Sequence, residues 1–251
     1  MPPFAFGALL MIDGRLAAIG VHGLTALGAV LGFQAMLEVA AHRWEAAFAW
    51  LGAALIVDGI DGPIARRVGV SKKLPRFSGE RLDLIIDYIT YVLVPAYIIY
   101  EAQLLPEGLG GLGAALVLLS SLFHFCDNES KTADGFFVGF PALWNVVAFY
   151  MLVFAAPEAV NFAALAVLSA LTFVPLKWLH PVRVARLRNL TLAIVAAWSA
   201  AAIAVLLLGF PASPGLQAVF AVSAVYLTAL GLLRSFRSDV ASNPHSQSDA
   251  G

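Results

Sequence analysis

Apolar residues run along this chain in long stretches, which short polar or proline-containing segments separate. A helix that crosses a bilayer needs about 20 mostly apolar residues. Eight stretches fit this requirement, and they predict spans at residues 17–38, 44–64, 82–104, 110–126, 139–156, 160–178, 190–209 and 215–234. The residues after 234 are polar and rich in Ser, which predicts a disordered tail over 235–251. The pattern indicates an all-α integral membrane protein with one polytopic domain over residues 1–234.

The composition agrees with a membrane location. Of the 251 residues, 61% are hydrophobic and only 12% are charged, whereas a soluble domain has roughly 45–50% apolar and about 25% charged residues. The net charge of −1 and the lack of a nucleic-acid type of basic cluster argue against a nucleic-acid partner. The single cysteine, Cys126, excludes an internal disulfide framework.

The positive charges predict the orientation of the spans. With both termini in the cytoplasm, fourteen of the fifteen Lys and Arg residues fall in cytoplasmic segments, and only Arg43 falls outside. This distribution predicts a multi-pass membrane protein whose termini both face the cytoplasm. The basic residues near 66–81 are interpreted as ordinary positive-inside charge and lipid-headgroup contacts.

Four aspartates lie at the facing ends of the second and third predicted spans. Asp58 and Asp61 are spaced i, i+3, and Asp83 and Asp87 are spaced i, i+4, so each pair lies on one face of its helix. A carboxylate at the centre of a membrane helix costs about 2.5–3.5 kcal/mol, and four neighbouring carboxylates repel one another unless a cation lies between them. The pattern therefore predicts a divalent metal site that opens toward the cytoplasm. Hard oxygen ligands suit Mg²⁺ or Mn²⁺, and two such ions could clamp a pyrophosphate.

The residues around these aspartates suit a nucleotide. Gly62, Ala65 and Gly79 lack bulk, so a nucleotide could lie close to both helix backbones. Arg66 offers a forked donor for phosphate oxygens. An intramembrane carboxylate pair also occurs in cation-coupled transporters, so a transporter is an alternative hypothesis at this point.

The segment from Asp58 to Asp87, DGIDGPIARRVGVSKKLPRFSGERLDLIID, resembles the signature of the CDP-alcohol phosphotransferase family. The matching positions are Asp58, Asp61, Gly62, Ala65, Arg66, Gly79, Asp83 and Asp87. Twelve residues separate Arg66 from Gly79, which is a longer spacer than most of the family has. The long spacer, the eight predicted spans and the stretch KTADGFFVGFPALWN at 131–145 are similar to the bacterial phosphatidylcholine synthase branch.

The resemblance implies a transferase bundle that moves the phosphatidyl group of CDP-diacylglycerol to choline and releases CMP. It also implies that Asp87 takes the proton of the attacking hydroxyl. Thr25 and Gly28 match a small element on the family's first helix that lies near the nucleotide, although such residues are also common in helix packing. The alternatives within the family are a phosphatidylserine or phosphatidylglycerol-phosphate synthase, which use other acceptors. A homodimer is one candidate assembly.

The acceptor site is predicted from residue chemistry. Choline carries a quaternary ammonium, which binds aromatic faces and carboxylates. The candidate choline-binding residues are Tyr88, Tyr91, Glu129, Phe136, Phe137, Phe140 and Trp144. An aromatic belt at the membrane interface would use the same residue types. His22 and His124 are interpreted as packing or hydrogen-bonding residues outside the site.

Overall fold

The computed structural model describes residues 3–127, 137–175, 177–178 and 188–241. Nearly all of the described residues are helical. Contacts between Cα atoms divide the chain into two compact units, Met1–Ala102 and Gln103–Gly251. The predicted aspartate site lies wholly in the first unit.

Unit 1 is built around its first helix. Its elements are α1 (Pro3–Ala40), α2 (Trp44–Val68), α3 (Val70–Lys73), α4 (Gly79–Asp87), a π-helical segment (Tyr88–Leu93) and α5 (Val94–Glu101). The connection between α1 and α2 is only three residues long, and the two helices pack against each other. Helix α1 also packs against α3, α4, the π-helical segment and α5. Helix α1 therefore contacts both helices that carry the predicted aspartates, α2 and α4.

The long spacer between the two aspartate pairs is folded onto α1. Helix α2 ends at Gly69, which has a φ of +72° and donates its N–H to the carbonyl of Ala65, as helix-terminating glycines commonly do. Val70 and Leu74 are then buried against Ala18 and Val21 of α1. The spacer is thus held down by apolar contacts that lie next to the predicted site.

Helix α4 starts where its sequence provides a cap. The hydroxyl of Ser78 accepts a hydrogen bond from the backbone N–H of Arg81 at 3.2 Å, and serine is a favoured N-cap residue. The helix runs through Asp87 and continues as one π-helical stretch and then α5, so Gly79–Glu101 forms a single apolar span. π-Helical turns occur frequently at functional sites, and this one begins directly after Asp87.

Glycines on α1 allow close approach of the helix that carries Asp83 and Asp87. A Cβ atom added to Gly28 would lie 2.4 Å from Cγ2 of Ile86, and one added to Gly32 would lie 2.8 Å from Cγ2 of Ile89. Both distances are shorter than any ordinary van der Waals contact. This Gly-x-x-x-Gly pattern brings helix backbones together, as small residues do in membrane proteins.

We expect Gly28→Ala to destabilise the protein by about 1–3 kcal/mol, because the added methyl group overpacks a filled contact. Gly23→Ala on the same helix is the matched control, since a Cβ atom there would meet nothing within 4 Å. The control gains helix propensity and is expected to be neutral or stabilising. Thermal unfolding of both variants in one detergent checks this; a Gly28→Ala midpoint at or above that of Gly23→Ala would contradict the packing described.

Unit 2 contains the remaining elements. They are α6 (Gly110–Cys126), β1 (Phe137–Val138), α7 (Trp144–Phe154), α8 (Glu158–Leu171), β2 (Lys177–Trp178), α9 (Arg188–Leu208) and α10 (Pro214–Ala241). The two short strands pair antiparallel, with Phe137 opposite Trp178. Tyr150 lies in an aromatic cluster with Phe149, Trp198 and Phe220. Its hydroxyl donates to the carbonyl of Phe220 at 3.1 Å and accepts from the Trp198 indole at 3.0 Å, so these partly buried polar groups have hydrogen-bond partners.

The helices confirm the predicted class, an all-α membrane protein. Within the described residues, four helices are long and apolar enough to cross a bilayer: Gly14–Ala40, Trp44–Val68, Gly79–Glu101 and Arg188–Leu208. Four more are apolar but shorter: Gly110–Cys126, Trp144–Phe154, Glu158–Leu171 and Pro214–Leu230. The count of eight spans therefore stays a prediction. Residues 242–251 of the predicted tail lie outside the described residues, and the helical part of α10 reaches Ala241.

Two of the predicted spans extend across breaks in the helices. The span at 139–156 starts too early, because α7 begins only at Trp144. Gly139 and Ala142 both have positive φ angles, and the residue before Pro141 is biased away from helix. The span at 160–178 ends too late: α8 stops at Leu171, ahead of Pro175. Apolar composition alone carried both predictions across these breaks.

Candidate active site

Three carboxylates from two helices meet in unit 1. Asp58 projects from α2, and Asp83 and Asp87 project from α4. One ligand oxygen from each of the three lies within 4.8 Å of those of the other two, and all three side chains are half-buried. The i, i+4 spacing on α4 puts Asp83 and Asp87 on one face. Carboxylates of α2 and α4 therefore meet in unit 1, as the sequence predicts.

Asp61 lies in the same cleft, although it is not within the group of three. It is almost fully buried, with 5% of its surface exposed. The small, open cleft is lined by Thr25, Gly28, Ala54, Val57, Asp58, Asp61, Asp83 and Ile86. All four predicted aspartates are thus close together. Asp58, Asp83 and Asp87 form the group of three, and Asp61 lines the cleft together with Asp58 and Asp83.

The charge of this cluster favours a bound cation. Two carboxylates about 4 Å apart repel by roughly 4 kcal/mol at an effective dielectric constant of about 20. Three half-buried carboxylates at such distances are therefore held against their mutual repulsion by the packing of α1, α2 and α4. A divalent ion with oxygen ligands would reverse that repulsion, and carboxylates are its preferred protein ligands. The donor set fits a divalent metal.

Tyr91 fixes one member of the cluster. Its hydroxyl donates a hydrogen bond to Oδ2 of Asp58 at 2.8 Å. Tyr91 lies in the π-helical segment, one turn beyond Asp87. Its partner belongs to α2, 33 residues earlier in the chain. This bond occupies one lone pair of Asp58 and orients the carboxylate, as outer-shell hydrogen bonds do for metal ligands.

We expect Tyr91→Phe to weaken the binding of Mn²⁺ by about tenfold, because loss of an outer-shell hydrogen bond typically costs 10–100-fold in metal affinity. Tyr100→Phe is the control, since Tyr100 lies on the same span and is 52% exposed. Titration of the purified protein with Mn²⁺, followed by electron paramagnetic resonance, measures both dissociation constants. Equal constants for the two variants would mean that Tyr91 does not orient a metal ligand.

Of the predicted nucleotide-binding residues, only Thr25 lines the cleft, and the other four have contacts outside its lining. A Cβ atom on Gly62 would lie 3.4 Å from Nη1 of Arg66, so the guanidinium group lies over this glycine. Ala65 is partly buried against the contact between α1 and the spacer. Thr25 lines the cleft itself, with its hydroxyl donating to the carbonyl of Val21. The contact of Gly79 is with a residue that the sequence did not assign to the site.

That residue is His22. A Cβ atom on Gly79 would lie 3.2 Å from Cε1 of His22. From the sequence, His22 is interpreted as a packing or hydrogen-bonding residue outside the site, because a lone histidine on an apolar helix usually has that role. His22 lies one turn before Thr25 on α1.

The predicted choline-binding residues fall into three groups. Tyr88 and Tyr91 belong to the π-helical segment in unit 1. Phe140 and Trp144 are buried in unit 2, where their rings meet edge to face at 5.1 Å and the Trp144 indole donates to the Ser121 hydroxyl. Phe137 lies in β1, while Glu129 and Phe136 lie outside the described residues. The burial of Phe140 and Trp144 gives both a packing role, and the choline role of the whole set stays a prediction.

Comparison with known proteins shows to which family the chain belongs. No family model matches the chain. It is 42% identical over 232 residues to a phosphatidylcholine synthase of Mesorhizobium japonicum, with 87% of each chain covered. It is 42% identical to that of Agrobacterium fabrum, covering 88% of this chain and 92% of the relative. It is also 42% identical to that of Pseudomonas aeruginosa, covering 89% and 94%. The chain belongs to the phosphatidylcholine synthase family.

The likeness to this family covers both structural units. The matched 232 residues exceed the length of either unit taken alone. The suspected branch of the CDP-alcohol phosphotransferases, which rested on about 30 residues of motif and on one loop, is therefore confirmed over most of the chain. The several apolar helices agree with a membrane-embedded member of this family.

Proposed function

We propose that this chain transfers the phosphatidyl group of CDP-diacylglycerol to choline and releases CMP. The observation that carries the proposal is the meeting of Asp58, Asp83 and Asp87 within 4.8 Å. Substantial identity to proteins named phosphatidylcholine synthase supports choline as the acceptor, rather than serine or glycerol phosphate. The same likeness favours an enzyme over a cation-coupled transporter.

The aspartates have two kinds of role in this proposal. Asp58, Asp61, Asp83 and Asp87 hold divalent cations, Mn²⁺ or Mg²⁺, with two ions as the proposed number. When bound, such ions neutralise the pyrophosphate and stabilise the charge on the departing CMP. Asp87 also accepts the proton of the choline hydroxyl. The hydroxyl oxygen of choline then bonds to the lipid-side phosphorus, and the bond from that phosphorus to CMP breaks. A carboxylate in this position acts as a general base.

The remaining residues of the motif bind and orient the nucleotide lipid. Arg66 donates to phosphate oxygens, and its position over Gly62 keeps it beside the start of the motif. Gly62, Ala65 and Gly79 are the small residues of the proposed nucleotide site; Gly79 lies against the His22 imidazole, and Thr25 lines the cleft. Tyr88 and Tyr91, which follow Asp87 directly in unit 1, are the proposed choline contacts of this unit. The proposed location is the bacterial inner membrane with both termini and the cleft in the cytoplasm, which is where the basic residues concentrate.

A panel of acceptors tests this function. Purified protein is incubated with CDP-diacylglycerol and Mn²⁺, and separately with choline, ethanolamine, serine, glycerol 3-phosphate and inositol phosphate. Mass spectrometry identifies the lipid products. We expect phosphatidylcholine as the main product, with ethanolamine a poor acceptor because an aromatic site favours a quaternary ammonium. A larger yield with serine or glycerol 3-phosphate would assign the chain a different acceptor.

A further inference from the structure

His22 carries a buried polar atom that calls for a partner. Among the residues that the structure describes, its Nε2 atom is shielded from solvent and has no hydrogen-bond partner. Buried polar side-chain atoms in native proteins nearly always have one, and each exception needs an explanation. His22 lies on α1 three residues before Thr25, which lines the aspartate cleft. Residues spaced i, i+3 share a helix face, so His22 and Thr25 face the same side of α1, with His22 one turn outside the residues that line the cleft.

The position of His22 along the cleft follows from its contact with Gly79. A Cβ atom on Gly79 would lie 3.2 Å from Cε1 and 3.7 Å from Nδ1 of the imidazole. Gly79, Asp83 and Asp87 follow one another at four-residue steps on α4, and four residues of helix rise roughly 6 Å. Measured along the axis of α4, His22 therefore lies about 6 Å from Asp83 and about 12 Å from Asp87, on the side of the spacer. This is too far from Asp87 for His22 to share its proton transfer.

The residues around Gly79 are polar, and this polarity bears on which part of the substrate lies near His22. Gly79 follows the spacer segment, whose Lys72, Lys73 and Arg76 side chains are exposed. If the phosphates of a nucleotide lipid bind at the aspartates, its acyl chains would extend along the apolar span Gly79–Glu101 and its nucleoside toward the polar spacer. A nucleoside offers hydroxyl, carbonyl and amino groups within one sugar unit of the phosphates. Choline has no such groups apart from the hydroxyl that reacts.

We infer that Nε2 of His22 hydrogen-bonds the nucleoside part of the CDP-lipid and thereby contributes to nucleotide specificity. The inference rests on the proposed function, because that function supplies the nucleotide. The absence of a side chain at Gly79 provides the space in which the imidazole lies. His22 binds the ground state and the transition state alike, so its removal raises the KM for CDP-diacylglycerol and leaves kcat nearly unchanged.

The test compares four proteins: wild type, His22→Leu, His22→Gln and His42→Leu. Leucine removes the polar atom, whereas the amide of glutamine places a nitrogen near the position of Nε2. His42 lies beyond the end of α1 and is exposed, so His42→Leu is the control; because His42 has a positive φ, the thermal unfolding of this variant is compared with that of the wild type. For each protein we measure the KM for CDP-diacylglycerol, the KM for choline and the inhibition constant of CMP. His22→Ala replaces His22→Leu if the leucine variant does not purify as a folded protein.

We expect His22→Leu to raise both the CDP-diacylglycerol KM and the CMP inhibition constant by about fivefold, in line with one net hydrogen bond. The choline KM should stay unchanged, His22→Gln should recover most of the loss, and His42→Leu should equal the wild type. A general loss of stability would not raise the CMP constant selectively. CMP constants in His22→Leu within about twofold of the wild type would overturn the inference. A wild-type protein that releases no CMP would instead overturn the proposed function, so the two failures are distinct.

Discussion

Asp87→Asn is expected to lower kcat by at least 100-fold, because a positioned general base contributes about 10²–10⁴-fold to the rate. The amide cannot accept the proton of the choline hydroxyl, yet it occupies the same volume at the end of α4. Asp58 and Asp83 remain to bind a cation, since their oxygens lie within the same 4.8 Å group. The inhibition constant of CMP should therefore change far less than kcat. Steady-state kinetics with labelled choline measure both.

Glu80→Gln is the control for this substitution. Glu80 is an exposed carboxylate on the first turn of the same helix, so the change has the same chemistry outside the cleft. Its kcat should match that of the wild type. If Asp87→Asn turned over at a near wild-type rate, another group would have to accept the proton, and the role proposed for Asp87 would be wrong.

Removal of divalent cations is expected to abolish activity, and addition of Mn²⁺ or Mg²⁺ is expected to restore it. The physical reason is the meeting of three half-buried carboxylates, which repel one another and a pyrophosphate alike. Without a cation, the site would neither bind the substrate phosphates nor stabilise the departing CMP. Activity is measured after dialysis against EDTA and again after titration with each metal.

The control for chelation is thermal unfolding with and without EDTA. A folded protein that is inactive in EDTA and recovers on metal addition supports a metal-dependent reaction, whereas unfolding would point to a structural ion. Full activity in excess EDTA would remove the metal from the proposed chemistry. Asp83→Asn should raise the concentration of Mn²⁺ that gives half-maximal activity, since it removes one carboxylate from the group of three.

The helix spacing of the aspartates made this cluster predictable from sequence. The i, i+3 and i, i+4 spacings place each pair on one helix face without any knowledge of tertiary structure. The bond between Tyr91 and Asp58 was not predictable in the same way, because it joins residues 33 apart and depends on the π-helical turn after Asp87. Local sequence does not specify where a helix widens by one residue. The choline role predicted for Tyr91, from its aromatic ring and its position after Asp87, stays a prediction.

Other differences between the sequence predictions and the structure arise from packing between helices and from local breaks in them. The tight fit of Gly28 against Ile86 and the contact of His22 with Gly79 depend on how α1 lies against α4. In the sequence, His22 is one histidine in an apolar stretch. In unit 2, the predicted spans at 139–156 and 160–178 continued through Gly139 and Pro175, since apolar composition outweighed these local breaks. Apolar runs therefore predicted the presence of the helices better than their ends.

The most direct test of the proposed transfer is the ratio of CMP released to choline incorporated. Purified protein in detergent, supplied with CDP-diacylglycerol, Mn²⁺ and labelled choline, is assayed for both products over the same time course. Transfer to choline predicts one CMP for each phosphatidylcholine formed and almost no CMP release when choline is omitted. CMP release that is independent of choline would indicate hydrolysis, and choline flux into proteoliposomes without any CMP release would indicate a transporter. Either result would contradict the proposed phosphatidyl transfer at the aspartate cleft.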